Sequence, residues 1–235
     1  MELEEAVAQL ESQASEGLAV VKLEGRGDKC FCSGADLGVA DKVDGAEMCA
    51  FMQDVTARIS RLSAVTVAVV RGGAYGGGSE LSTSTDFRIF SSDAKMRWVH
   101  TKMNISPGWG GATRLARLVG KSRALRILCT AQVLTAQECA ALGIADAVVE
   151  PSNMDAAVAA FVAPILEAQP ASIRACKTAV TGAPEFDDLS YGVEAAAFAS
   201  VWGSQANMEA IRSRAPHKAA PSGGNATVAR AAGKT

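Results

Sequence analysis

The sequence predicts an α/β fold built from strand, glycine turn and helix, on three observations. Val65-Thr66-Val67-Ala68-Val69-Val70 is a run of β-branched and small apolar residues, the pattern of a strand buried on both faces. Gly76-Gly77-Gly78 follows shortly after, and Glu80-Leu81-Ser82-Thr83-Ser84 is suited to open a helix. A second apolar run, residues 18–23, also ends in a glycine-bearing turn, which leads through Gly25 and Gly27 to Phe31-Cys32-Ser33-Gly34-Ala35-Asp36-Leu37.

The remaining elements follow from periodicity and breakers. Residues 1–10 are acidic and amphipathic, with Leu3, Val7 and Leu10 on one face, and read as a helix rather than a signal or transit peptide. Residues 48–61 carry apolar side chains at helical spacing, and residues 95–100 read as a short strand ending at His100. Short helices are expected at 113–118, 122–129 and 136–142. Longer ones are expected at 154–166, 171–180 and 189–201, with Pro170 and Pro184 as breaks. The organisation expected is a core at 1–150, a helical region at 151–214 and a disordered tail at 215–235.

Composition excludes several function classes. At 235 residues with 49% apolar content the chain suffices for one well-packed domain. A net charge of -2 and only 5% aromatic residues argue against a nucleic-acid partner. No apolar run approaches the ~18 residues of a membrane span. The six cysteines are scattered, Cys30 and Cys32 are too close for a zinc pair, and reduced thiols are the simplest reading. No His, Cys and carboxylate cluster has metal-ligand spacing, so no metal site is expected.

The glycine turns carry the chemistry. A strand, a glycine turn and a helix start present free backbone N–H groups backed by the helix dipole. That arrangement binds an anion, or stabilises an oxyanion that develops during reaction. The spacing is neither a Walker loop, which needs Gly-Lys-Ser/Thr, nor a G-x-G-x-x-G dinucleotide fingerprint.

Phe31-x-x-Gly34-x-Asp36-Leu37, then Gly76-Gly77-Gly78-x-Glu80, then Pro107-Gly108-x-Gly110-Gly111-x-x-Arg114-Leu115 together resemble the crotonase superfamily, the enoyl-CoA hydratase/isomerase family. The likeness is close over residues 20–150 and looser to about residue 214. It implies a crotonase-like ββα spiral with a C-terminal helical oligomerisation region, and a homotrimer or dimer of trimers. It implies an acyl-CoA substrate, with coenzyme A part of the substrate and no separate cofactor, and a location in the cytosol. The oxyanion donors carried over are the backbone N–H groups of Ala35 and Gly77. Gly34, Asp36, Leu37, Gly76 and Trp109 are the implied substrate-binding residues.

Two departures from the family pattern matter. Hydratases of this family place a second glutamate seven residues before the Pro-Gly pair, and that position here is His100. Glu80 and His100 are therefore the expected catalytic pair, since an imidazole is a natural proton donor near neutral pH. His100, Asp86-Phe87-Arg88 and Trp202-Gly203-x-x-x-Asn207 together are similar to the branch that removes carbon dioxide from α-carboxyacyl-CoA thioesters such as ethylmalonyl- and methylmalonyl-CoA. Decarboxylation through an enolate is the leading expectation. An enoyl-CoA hydratase or isomerase, and a non-catalytic CoA-binding or oligomer-modulating subunit, are the alternatives. The second departure is that the family's opening hairpin and its Asn-Pro-x-x-x-Asn-Ala segment have no counterpart before residue 1, so the first strands are expected to be missing. Replacing Glu80 or His100 by alanine is expected to cut turnover in a protein that stays folded.

Overall fold

A computed structural model describes residues 2–15, 17–36, 45–181, 205 and 229–230. Helix α1 (Glu2–Ser15) leads into strands β1 (Val20–Glu24) and β2 (Cys30–Cys32), then helix α2 (Gly45–Arg61). The same order repeats twice. Strands β3 (Val65–Val70) and β4 (Gly73–Tyr75) are followed by α3 (Gly77–Ser82). Strands β5 (Phe87–Ser91) and β6 (Lys95–Arg97) are followed by a 3₁₀ turn, Val99–Met103, and helices α4 (Gly111–Val119) and α5 (Lys121–Thr130). Strand β7 (Val133–Thr135), helix α6 (Ala136–Ala141), strand β8 (Ala147–Val149), and helices α7 (Met154–Leu166) and α8 (Pro170–Thr181) complete the main body.

Each repeat sends one strand to each of two sheets. β1, β3, β5 and β8 lie side by side in parallel, with the two-residue β9 (Ala229–Arg230) antiparallel to β8. β2, β4 and β6 form a parallel second sheet, closed by antiparallel β7. This is the expected ββα spiral. All six residues of β3 are buried, as the uninterrupted apolar run requires. Its alternation serves two cores. Val65, Val67 and Val69 pack with Ile89, Val149, Met154 and Val158 beneath α7. Ala68 and Val70 join Phe90, Met96, Trp98, Leu115 and Ile144 on the other face.

Two ion pairs, each of a buried cation with a half-buried carboxylate, fix the sheet ends. Lys177 Nζ on α8 donates to Asp86 Oδ2 at 2.6 Å and to the Ala64 carbonyl at 2.7 Å, while Asp86 also accepts from the Thr66 amide at 2.7 Å. Arg88 Nη2 meets Asp146 Oδ2 at 3.3 Å across β5 and the start of β8. Thr135 and Glu138 form a reciprocal capping box at the start of α6.

The structure moves several expected boundaries. His100 does not end a strand: β6 stops at Arg97, and His100 lies in the 3₁₀ turn that follows. Glu80 does not open α3 either. The helix begins at Gly77 with Gly76 as its cap, because the pairing of φ 52° with ψ −121° there favours glycine, so Glu80 sits at the fourth helical position. Pro170 is the first residue of α8 rather than a break before it, where its missing N–H costs nothing. Leu37, the helix expected at 189–201 and the segment 202–204 lie outside the described residues. Of the tail expected to be disordered, Ala229–Arg230 is described, as a strand, and the rest lies outside. All six cysteines are free thiols.

Candidate active site

The two glycine turns meet. Gly34 follows β2 and has a φ of 98°. A β-carbon built on it would lie 3.0 Å from the Gly77 amide nitrogen and 3.0 Å from the Tyr75 carbonyl. Any side chain at 34 would thus occupy the space in front of the first N–H of α3. Gly77 is the first helical residue, so its N–H has no intrahelical acceptor. Trp109 covers it from the other side, and a β-carbon at 77 would collide with the indole ring. Ala35 follows Gly34 directly, and Ala35 and Gly77, the residues expected to supply the oxyanion donors, line the same cavity of about 190 Å³.

Gly34, Ala35, Gly76, Gly77, Glu80, His100 and Trp109 all line that cavity. Asp36 does not: it is exposed, outside the cavity wall. Met48, Cys49, Met103 and Ile105 supply an apolar side that single-position reasoning on the sequence missed. The first two sit in the amphipathic α2, and that helix pattern was the signal available for them.

Glu80 is 1% exposed and fully engaged. Its Oε1 lies 3.0 Å from His100 Nε2 and accepts from the Gly108 amide at 3.3 Å. Its Oε2 accepts from the Trp109 amide at 2.8 Å and the Gly111 amide at 2.9 Å. The carboxylate therefore closes the 108–111 turn and holds the imidazole. On the opposite side of that turn the carbonyls are held by α2 and α4. Gln53 Nε2 donates to Gly108 O at 2.9 Å, and Thr56 Oγ1 donates to Trp109 O at 2.8 Å. Arg114 Nη2 donates to Trp109 O at 2.8 Å and to Glu80 O at 3.2 Å. Burial pulls the Arg114 guanidinium down to about 10, with the Glu80 charge acting in the opposite direction. Gln53 and Thr56 gave no motif signal in the sequence; Arg114 did, as the arginine of the third motif.

His100 is 6% exposed, and its Nδ1 is buried without a partner. Trp98 packs at 6.1 Å between ring centroids, tilted by 41°. The cavity is thus lined by Ala35 and Gly77, by an imidazole with one nitrogen uncommitted, and by an apolar flank. Such a set can hold a thioester oxygen while a proton is exchanged at the neighbouring carbon. Among the described residues no group of three His, Cys, Asp or Glu side chains could hold a metal ion.

The sequence and the fold resemble those of known proteins. The enoyl-CoA hydratase/isomerase family model matches residues 1–208. The chain is 38% identical over 227 residues to ethylmalonyl-CoA decarboxylase of Danio rerio, covering 93% of this chain and 74% of that one. It is 34% identical over 223 residues to the Gallus gallus protein of the same name, covering 91% and 74%. A Thermobifida fusca structure of the enoyl-CoA hydratase type, in complex with acetoacetyl-CoA, superposes with a TM-score of 0.73 at 32% identity, covering 83% of each chain. The chain belongs to the enoyl-CoA hydratase/isomerase family.

Proposed function

We propose that the protein is a carboxy-lyase acting on α-carboxyacyl-CoA thioesters, with ethylmalonyl-CoA as the main substrate and methylmalonyl-CoA as a smaller one, in metabolite repair. The observation that carries the reading is the 3.0 Å contact of His100 with Glu80, in a cavity lined by Gly77 and Ala35. The decarboxylase names of the relatives at 34–38% identity support it.

Loss of carbon dioxide leaves an electron pair that flows onto the thioester oxygen as an enolate. The amides of Ala35 and Gly77 would hold that oxygen, each being worth about 3 kcal/mol in such sites. The acyl chain would lie on the apolar side formed by Met48, Cys49, Met103 and Ile105. The α-carbon must then receive a proton from the Glu80 and His100 pair. Neither a metal nor an organic cofactor is required for this sequence. A homotrimer or dimer of trimers in the cytosol is our expectation from the family resemblance alone.

Purified protein incubated with ethylmalonyl-CoA should yield butyryl-CoA, and with crotonyl-CoA should yield no hydroxybutyryl-CoA. The reverse pair of products would make the protein a hydratase.

A further inference from the structure

We propose that His100, through Nδ1, is the group that protonates the enolate, and that Glu80 is a positioning residue that exchanges no proton with substrate. The inference rests on the decarboxylase reading and divides the labour within its acid/base pair.

The argument is one of available atoms. A carboxylate offers about four acceptor positions on its two oxygens. In Glu80 all four are directed at named donors: His100 Nε2 and the Gly108 amide on Oε1, the Trp109 and Gly111 amides on Oε2. A Glu80 that took or gave a substrate proton would have to release one of these, and with it the 108–111 turn that seats Trp109 over Gly77. Nε2 of His100 is committed to Glu80. The single polar atom of the pair left without a partner is His100 Nδ1, on a residue that lines the cavity. A buried polar atom without a partner is costly in a finished protein and calls for an explanation. A substrate that supplies the missing partner is one.

The step balances as follows. The Cα–carboxylate bond breaks, carbon dioxide leaves, and its bonding pair becomes the enolate held by Gly77 and Ala35. The enolate collapses, and its α-carbon takes the Nδ1 proton of a doubly protonated His100, whose charge Glu80 balances at 3.0 Å. The imidazole is left neutral with Nε2–H still donated to Glu80, and Nδ1 regains a proton from water before the next turnover. One proton is consumed per carbon dioxide released.

The test is decarboxylation of ethylmalonyl-CoA in D₂O, with the configuration of deuterium at C2 of butyryl-CoA as the readout. Wild-type protein should give one deuterium in a single configuration. H100Q should slow turnover about 100-fold and give both configurations, because solvent then reaches either face. E80Q should slow turnover with the configuration unchanged. Scrambling by E80Q with a single configuration retained in H100Q would overturn the assignment. Should E80Q fail to fold, wild-type protein labelled with ¹⁵N at its two histidines, His100 and His217, decides the matter when butyryl-CoA is added. A shift confined to His100 Nδ1 supports the assignment; a shift of Nε2, or of neither nitrogen, overturns it. Absence of carbon dioxide release by the wild-type protein would instead overturn the decarboxylase reading, and the assignment with it.

Discussion

Gly34 and Gly77, forty-three positions apart, approach so closely that a methyl group on the first would sit 3.0 Å from the amide nitrogen of the second. The G34A variant should therefore lose activity before it loses its fold. The methyl group blocks the approach of a carbonyl oxygen to Gly77 N–H, and a lost oxyanion donor typically costs about 100- to 1,000-fold in kcat. The φ of 98° adds backbone strain, so a lower melting temperature should accompany it. Turnover and thermal melts on the same preparation check both.

Alanine at position 80 should be mainly a stability mutation, contrary to the expectation from sequence. It leaves the Gly108, Trp109 and Gly111 amides without their acceptor inside the protein. Unsatisfied buried donors cost about 1–3 kcal/mol each, so E80A should unfold at least about 3 kcal/mol more easily in urea. H100A removes one of four contacts from the same carboxylate, together with the charge that balances it, and should cost less than E80A. Equal stability of the two variants would contradict this.

The Lys177 and Asp86 pair ties α8 to the sheet. K177M leaves Asp86 without its cation and should cost about 3 kcal/mol. Burial pulls the Lys177 pKa below its ordinary 10.5. Over the window between the two values the unfolded chain binds more protons than the folded one, so this group's contribution to stability rises with pH as 10.5 is approached. The gap in unfolding free energy between wild type and K177M should widen from neutral to alkaline pH.

The capping box predicts the opposite limb. Hydrogen bonds from the Thr135 amide and hydroxyl hold the Glu138 carboxyl below its ordinary value. Its contribution is full above 4.5 and is lost as pH falls through the depressed value. T135A should lower the melting temperature by about 2–4 °C at neutral pH, and the difference should shrink in acid. Turnover should be unaffected.

The strands and the two glycine turns were legible because their signals are local. A six-residue run of β-branched and small apolar residues is the pattern of a buried strand, and β3 spans that run. Glu80 and His100 were named as a pair from motif spacing, and they meet at 3.0 Å. What was not legible is set by long-range closure. Nothing around Gln53 or Thr56 in sequence indicates that both reach the turn at 108–109, fifty-three and more residues away. His100 lies in a 3₁₀ turn and not at a strand end because β6 ends three residues earlier than the strand expected over 95–100. The turn carbonyls at His100 and Thr101 are then satisfied by the chain bending back at Asn104, which adopts a left-handed conformation.

The clamp on the 108–111 turn has an evolutionary reading. Its amides are gathered by Glu80 and its carbonyls by Gln53, Thr56 and Arg114, so one short loop carries the wall of the cavity and the knot between three helices. Drift that erases Glu80 is removed by selection on folding, whatever becomes of the activity. Drift at His100, which removes one contact of that carboxylate, meets a weaker filter. Descendants of this lineage that abandon the reaction while keeping the fold should change at His100 first, and those that acquire a new reaction should do so by changing what stands opposite a Glu80 that stays in place.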